Sequence, residues 1–259
     1  MYPISESSQS VLNILIKNIK SAIDLEIKNI KKINNLYYLN DNYGPYTNIV
    51  IAIGSSANYK IPYPSLELLN SLNLDFQSFY PTLVGFKTSL KIKSISGVRA
   101  KALVKLYSNK LIKEYRGEVI FKDDGISGIC VMNLSTYYAN IKDKSNAYIS
   151  IDLLENKDYY DLESVLNPKL LKYVLDNKID IHNFIIPIKG VYDLEFAQTA
   201  HGGININELN NNLSLIKDNN IYAGGEILNV DAISGGYNLM FAFTCAIEIW
   251  KSLNEIHNR

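Results

Sequence analysis

Two short apolar runs that end in glycine constrain the fold of this chain more than any other feature of its sequence. The first is Asn48-Ile-Val-Ile-Ala-Ile-Gly54 and the second is Asn220-Ile-Tyr-Ala-Gly-Gly225. A continuous apolar run of this length that ends in glycine is typical of a strand buried on both faces. Buried strands of this kind belong to sheets covered by helices. The sequence therefore predicts an α/β fold whose sheet includes both runs.

Three segments show the apolar spacing of helices. Apolar residues recur every three or four positions near the N-terminus, over residues 8–23. Residues 153–178 also favour a helical fold, with Pro168 at a helix start. The last segment, from Leu239 to about Leu253, is apolar on most of its surface, and we interpret residues 239–250 as plain core.

Strand signals occupy most of the remaining chain. Residues 25–30 and 33–40 predict two short strands, and the pattern from Val84 to Leu134 is that of β structure. Within it, Ser108-Asn-Lys110 separates two apolar runs and predicts a hairpin. The polar, asparagine-rich residues 207–220 predict a loop.

Charge and cysteine content exclude several classes of protein. The 259 residues hold 26 Lys and Arg against 26 Asp and Glu, and this zero net charge argues against a nucleic-acid binder and against a membrane-surface protein. No apolar run is long enough to span a membrane, and the N-terminal residues do not have the pattern of a signal peptide. Cys130 and Cys245 lie far apart, which fits a reducing, cytoplasmic location. The three histidines are isolated, so we expect no metal site.

Three glycine-bearing elements form the most promising constellation for chemistry. They are the strand that ends at Gly54, the strand that ends at Gly224-Gly225, and the pair Gly235-Gly236 that opens the last helix. Ligands of open α/β sheets bind at the carboxyl ends of strands, and glycine lets them touch the backbone. A helix N-terminus adds free N–H groups and partial positive charge. Together these elements suit a flat heterocycle that gains negative charge on reduction, such as a flavin.

Each element also has a purely structural interpretation. A strand that ends in glycine is often followed by a simple turn, and a Gly-Gly pair before a helix often marks a point of close packing. The occurrence of two such elements within twenty residues favours the functional interpretation.

The stretch that runs from Gly202-Gly203 to Leu239 resembles a family signature. It contains Ala-Gly-Gly-Glu226, then Leu-Asn-Val-Asp231, then Gly235-Gly-Tyr-Asn-Leu239. This order is similar to the C-terminal signature of the BaiN-like (aminoacetone-oxidase type) FAD-dependent flavoproteins. Weaker blocks along the chain agree with the resemblance: Met1–Glu6, Ile49–Gly54, Gly117–Phe121, Gly125–Gly128 and Ala197-Gln198.

The resemblance also has departures. The family opens with a βαβ unit that carries the dinucleotide fingerprint GxGxxG, and this sequence contains no such motif. Asn229 stands where the family has Asp, and Met240 stands where it has Gln. We therefore expect an N-terminally truncated member. The first βαβ unit would come from a second chain or from an upstream segment.

The resemblance implies the fold and its division into domains. We expect an incomplete FAD-binding Rossmann-like domain in two parts, residues 1–84 and 192–259. Between them, residues 85–191 would form an inserted domain with a β-barrel-like piece and a small helical piece. The resemblance brings the loop at Ser127 towards the flavin.

The resemblance also assigns roles to site residues. Gly225 and Glu226 would lie where the ribityl chain or the diphosphate of FAD passes, next to the strand end at Gly54. Asp231 would close its loop by accepting hydrogen bonds from backbone amides. Residues of the last signature block would face the pyrimidine edge of the flavin: Gly235, Gly236, Tyr237, Asn238 and Leu239. Two further residues have no assigned role: His201 is a loop histidine or a base, and Cys245 is a buried thiol.

Two functions from different classes follow. The first is an FAD-dependent oxidoreductase that transfers a hydride to or from a small organic substrate; the sequence does not choose between NAD(P)H and oxygen as the redox partner. The second is a non-catalytic remnant or interaction module that has lost the cofactor. In either case the absence of the first βαβ unit predicts an uncovered apolar groove beside Ile49–Gly54 and Ile221–Gly225.

Overall fold

The computed structural model describes residues 3–19, 21–59, 65–155, 157 and 161–257. Across this part of the chain the α-helices are α1 (Ser8–Lys17), α2 (Ser65–Ser71), α3 (Ile129–Ala139), α4 (Pro168–Asp176) and α5 (Tyr237–His257). The strands of the N-terminal part are β1 (Ile30–Ile33), β2 (Leu36–Leu39), β3 (Tyr43–Tyr46), β4 (Ile49–Ile51) and β5 (Phe76–Thr82). Those of the middle part are β6 (Phe86–Thr88), β7 (Arg99–Ser108), β8 (Lys110–Phe121), β9 (Gly125–Ser127), β10 (Ala147–Asp152) and β11 (Phe184–Val191). The last strands are β12 (Thr199–Ile204), β13 (Ser214–Leu215) and β14 (Asp218–Ala223).

The middle of the chain forms a closed six-stranded barrel in the order β10-β11-β6-β9-β8-β7. Every neighbouring pair is antiparallel, and β7 closes the barrel against β10. The predicted hairpin is confirmed: β7 and β8 turn at Asn109, whose φ of +59° is a conformation that asparagine tolerates.

Apolar side chains fill the barrel and the helices seal it. Phe86, Phe121 and Phe184 are fully buried inside. α3 buries Val131 and Leu134 against the barrel, in the same apolar cluster. These side chains belong to one core, and each large apolar side chain contributes about 1.5–3 kcal/mol when fully buried.

The helix expected over residues 153–178 is much shorter than predicted. Residue 156 and residues 158–160 lie outside the described residues, and the helix itself is α4. Pro168 occupies its first turn, as predicted, and the side chain of Asn167 accepts a hydrogen bond from the N–H of Lys169. The apolar residues near 153 misled the prediction because they are buried in turns rather than in a helix.

The two glycine-terminated runs pair as parallel strands in a second, smaller sheet. Its order is β13-β14-β4, with Ile221 opposite Ile49. β4 is shorter than predicted, and burial on both faces is wrong for it, because Val50 is 46% exposed. Burial depends on what covers a strand, and within the described part of the chain no strand pairs with the outer edge of β4.

The remaining N-terminal elements differ from prediction in their boundaries. The strand predicted over residues 25–30 is wrong, because β1 begins only at Ile30, and the strand predicted over residues 33–40 is the shorter β2. β1 and β2 are joined by a turn at Asn34-Asn35, where both φ angles are positive. In residues 207–220 the loop prediction is wrong in part, because this segment contains β13 and the start of β14. α1 covers only the first part of the helix predicted over residues 8–23, and none of its residues is buried, so its apolar stripe faces outwards.

The last helix is not the plain core that was expected. Of its described side chains only Cys245 and Ile249 are buried. Several other large apolar residues of the helix are exposed: Leu239, Met240, Phe243, Ile247 and Trp250. One face of α5 therefore packs on the small sheet, and the rest is left uncovered by the described residues. None of the helices within those residues is both long and apolar enough for a membrane span.

A matched pair of leucines in the β7–β8 hairpin tests the barrel core. Leu106 is fully buried and Leu111 is 45% exposed. We expect Leu106→Ala to lower the free energy of unfolding by about 2–5 kcal/mol, because it leaves a cavity in a packed core. Leu111→Ala should change it by about 0.5 kcal/mol or less. Urea unfolding of both variants measures the difference; equal effects would contradict the barrel described here.

Candidate functional site

A cavity of about 630 Å³ lies between the glycine ends of β4 and β14 and the long helix α5. It brings together five of the nine residues predicted for the site: Gly54, Gly225, Glu226, Asn238 and Leu239. The other four, Asp231, Gly235, Gly236 and Tyr237, are not among the residues that line it. They belong to the segment that connects the strand end to α5 and to the first turn of that helix. We call the region formed by the cavity and this segment the glycine site.

Gly224 allows α5 to approach β14 at the floor of the cavity. A Cβ atom at this position would lie 2.9 Å from the Cβ of Cys245 and 3.1 Å from the Cδ1 of Ile249. Both of those side chains are buried in the contact. The helix thus rests almost directly on the strand backbone, and any side chain at this position would force the helix or its buried side chains to shift.

Two of the predicted glycines leave open space in front of their backbone. A Cβ atom at Gly54 or at Gly236 would meet nothing within 4 Å among the described atoms. Their φ angles are +73° and +87°, a conformation that glycine adopts without strain. Both positions therefore offer bare backbone, as the functional interpretation requires.

The first turn of α5 presents backbone N–H groups. The first hydrogen bond inside the helix runs from the N–H of Met240 to the carbonyl of Gly236. The amides of Tyr237, Asn238 and Leu239 precede it, so they have no acceptor within the helix. These three predicted residues thus form the positive end of the helix dipole.

Three side chains from three different elements hold the segment that leads into α5. The Nδ1 atom of His201 lies 2.7 Å from Oδ1 of Asp231. Asn238 bridges both backbone groups of Ala232, accepting from its N–H at 2.9 Å and donating to its carbonyl at 3.0 Å. The N–H of Ser234 donates to Oδ1 of Asn133 at 2.9 Å, and Asn133 belongs to the barrel helix α3.

These contacts correct two expectations. Asp231 was expected to accept backbone amides, but its Oδ1 atom faces the ring of His201, and Asn238 makes the bonds to the backbone. His201 is not a loop residue, because it lies within β12. The pairing of residues thirty positions apart gives no local signal in the sequence. Cys245 is a buried free thiol, as expected.

Glu226 is a half-buried carboxyl group at the cavity wall. Its Oε1 atom accepts a hydrogen bond from the N–H of Ala200 at 3.1 Å, and Ser55 provides a second hydrogen bond. Burial raises the pKa of this carboxyl group, and the charge of Asp231 acts in the same direction. Glu226 is therefore a fixed, partly desolvated acid rather than a freely solvated one.

Other cavity residues did not appear in the sequence prediction. Gln198 and Thr199 reach the cavity from the start of β12, and Ala242, Cys245 and Ala246 line it from α5. The sequence did contain a signal for these helix residues, because positions 238, 242, 245 and 249 share one helical face. This signal was missed because the whole helix was interpreted as core.

Ser127, which the sequence placed in a loop near the flavin, is the last residue of β9 and borders a second cavity. This space of about 510 Å³ lies between β8 and the start of α3, and its lining includes Ser127, Gly128 and Asn133. Asn133 links it to the glycine site, because its side chain accepts a hydrogen bond from the N–H of Ser234. Cys130 also lines the second cavity, and burial raises the pKa of its thiol to about 11, so it is not a reactive thiolate.

The described side chains include no group of three or more potential metal ligands. The glycine site provides backbone amides, one half-buried carboxyl group and an Asp–His pair. The fold and the site together define an α/β protein with an attached barrel and a glycine-lined cavity.

One family model matches the chain. It is described as the HI0933-like protein barrel and H2TH domain, and it covers residues 80–184, less than half of the chain. Domains of this family are generally associated with flavoproteins. A comparison with curated proteins finds no match for the chain. The matched residues include the barrel strands β6 to β10 and both helices that pack on the barrel.

Replacement of Gly224 tests the contact between β14 and α5. We expect Gly224→Ala to destabilise the protein by about 1–3 kcal/mol, because the new methyl group overpacks a filled contact. Trp250 is the only tryptophan and lies on the same helix, so its fluorescence should shift as the helix moves.

The control is Gly54→Ala, which adds backbone strain of about 1–2 kcal/mol in open space. It should lower stability while the Trp250 emission stays unchanged. A Gly224→Ala protein with unchanged stability and emission would contradict the contact.

The carboxyl group of Glu226 predicts a pH dependence of stability. Its pKa in the folded state lies above its ordinary value of 4.5, so the folded protein binds more protons than the unfolded chain above that pH. The free energy of unfolding should therefore fall as the pH rises from about 4.5 through the folded-state pKa. In Glu226→Gln, which keeps an acceptor for the N–H of Ala200, this fall should be absent. Urea unfolding of both proteins between pH 4 and 8 measures it; parallel curves would contradict the burial of this carboxyl group.

Proposed function

We propose that this chain is part of an FAD-dependent flavoprotein that oxidises or reduces a small organic substrate. The observation that carries the proposal is the glycine site, where the ends of two parallel strands meet the N-terminus of α5 around one cavity. The match of the middle domain to a family generally associated with flavoproteins supports the same conclusion.

The residues present fit a flavin nucleotide. Gly54 and Gly225 expose backbone to the cavity, and Glu226 offers a carboxyl group to ribityl hydroxyls. Gly235, Gly236, Tyr237 and Asn238 would face the pyrimidine edge of the ring. When bound, a flavin accepts or releases a hydride. The dipole of α5 would stabilise the negative charge of the reduced ring by about 0.3–2 kcal/mol.

We further propose that a βαβ unit from a second chain or an upstream segment completes this site. The outer edge of β4 has no strand partner among the described residues, and Val50 on β4 is exposed. The apolar face of α5 that includes Leu239 and Trp250 is exposed as well. An added parallel strand and helix would cover both surfaces and bring the phosphate-binding loop that this sequence lacks.

The same exposed surfaces favour a second candidate function. An interaction module that has lost its cofactor would also keep an open strand edge and an apolar helix face, and it would use them to bind its partner. The purified protein is incubated with FAD, unbound FAD is removed by gel filtration, and the visible absorption spectrum of the protein fraction separates the two functions. Flavin bands that reach about one equivalent per chain support the flavoprotein. A folded, stable protein that retains no flavin at any FAD concentration supports the interaction module.

Valine substitutions at two glycines test where FAD binds. Gly236 and Gly97 have similar φ angles, +87° and +81°, and a Cβ atom at either position would meet nothing within 4 Å. The backbone strain of the two substitutions is therefore comparable, but Gly97 lies on the barrel. We expect Gly236→Val to abolish FAD binding, because a branched side chain would occupy the space in front of the α5 N-terminus.

The Gly97→Val protein should bind FAD as the unmodified protein does. Fluorescence titration with FAD measures both affinities, and circular dichroism shows whether each variant is folded. Unchanged FAD binding by folded Gly236→Val would contradict the proposed placement of the flavin.

A further inference from the structure

An Asp–His pair that the proposed function does not use lies at the glycine site. The Nδ1 atom of His201 is 2.7 Å from Oδ1 of Asp231, and the exposed fractions of the two side chains are only 16% and 6%. The second oxygen of Asp231, Oδ2, is buried and has no hydrogen-bond partner in the described structure. Within the described structure, the carboxylate of Asp231 thus makes its hydrogen bond to His201 through Oδ1.

The contact determines which nitrogen of the ring is available. A carboxylate only accepts hydrogen bonds, so Nδ1 carries the proton that points at Asp231. In the neutral ring Nε2 then holds a lone pair, and in the charged ring it holds a donor proton. Orientation of an imidazole by a buried carboxylate, with the far nitrogen left for a ligand, is the arrangement used for proton transfer in enzymes.

The pair lies next to residues that line the cavity, although neither of its members is among them. His201 and Thr199 are two positions apart on β12, so their side chains leave the strand on the same face, and Thr199 lines the cavity. The N–H of Ala200, between them, is bonded to the cavity residue Glu226. Asp231 begins the segment that ends at the N-terminus of α5.

Three other ionisable groups lie around the pair. Glu226 is near enough for the charge of Asp231 to raise its pKa. Tyr80 is the cross-strand partner of His201 on β5, and burial raises its pKa to about 12, so it keeps its proton. The ammonium group of Lys144 lies 5.3 Å from the centre of the Tyr80 ring.

We propose that His201 transfers a proton to and from the ligand of the glycine site, and that Asp231 is the residue that positions it. The proposal rests on the proposed flavin function. Oxidation of a substrate that carries hydrogen on carbon and on a neighbouring oxygen or nitrogen breaks the C–H bond and forms a double bond to that heteroatom. The hydride and its electron pair go to the oxidised flavin, and the proton of the heteroatom goes to Nε2 of His201.

Nitrogen NMR of the protein labelled on histidine tests the pair without any cofactor. The chain has only three histidines, and His201→Asn identifies the signals of His201. We expect neutral His201 to carry its proton on Nδ1, and we expect Asp231→Ala to transfer that proton to Nε2. His201 with its proton on Nε2 in the unmodified protein would overturn the proposal.

A kinetic measurement tests whether the pair acts on the ligand. Protein loaded with FAD is reduced by light with EDTA as the electron donor and is then mixed with oxygen between pH 6 and 9, a reaction in which the reduced anion, oxygen and one proton give oxidised FAD and hydrogen peroxide. His201→Asn should remove one ionisation from the pH profile and slow the reaction by roughly 10²-fold. The matched control is His182→Asn, because His182 also pairs with a buried aspartate, Asp152, but on the barrel. That variant should keep the profile of the unmodified protein.

The two measurements separate the proton-transfer proposal from the flavin proposal. If the protein does not bind FAD, the flavin function fails, and the NMR result alone decides whether His201 is held with Nε2 free. If FAD binds and His201→Asn leaves the pH profile unchanged, the proton-transfer role is wrong while the flavin function stands. If His201→Asn slows the reaction equally at every pH, its effect is only structural and the proposal fails.

Discussion

The contact between Gly224 and the face of α5 that carries Cys245 is the constraint on which the glycine site depends. Because no Cβ separates strand from helix, the 21-residue helix lies directly against the end of β14. Its N-terminus is thereby fixed beside the turns at Gly54 and Gly225. A larger residue at 224 would lift the helix and open the site at its floor.

A specific polar contact joins the barrel to this site. The Oδ1 atom of Asn133, on the barrel helix α3, accepts a hydrogen bond from the N–H of Ser234 in the segment before α5. Since an unpaired buried polar group costs about 1–3 kcal/mol, this contact favours one arrangement of the segment relative to the barrel. The orientation of the segment before α5 thus depends on Asn133, which lies more than a hundred positions earlier in the chain.

Local features of the fold could be predicted from the sequence. The β7–β8 hairpin, the start of α4 at Pro168 and the two glycine-terminated strands follow from turn chemistry and apolar patterning over a few residues. The predicted cavity residues Gly54, Gly225, Glu226, Asn238 and Leu239 do line one space. Their assignment to a cofactor stays a prediction.

Features that depend on distant parts of the chain could not be predicted. The apolar patterns of β4 and α5 indicated burial on all sides, yet Val50 and Trp250 are largely exposed, because a pattern does not reveal what covers a surface. The role predicted for Asp231 was wrong for a related reason. Its partner His201 lies on β12, thirty positions earlier in the chain. The domain boundaries at residues 84 and 191, and the missing βαβ unit, stay predictions.

Hydrogen exchange of the backbone amides, measured with and without FAD, tests the central claim most directly. If the glycine site binds the flavin nucleotide, FAD should slow exchange at residues 222–228 and at the first turn of α5, and the β7–β8 hairpin should exchange at an unchanged rate. Protection confined to the barrel, or no protection at FAD concentrations that saturate binding, would contradict it.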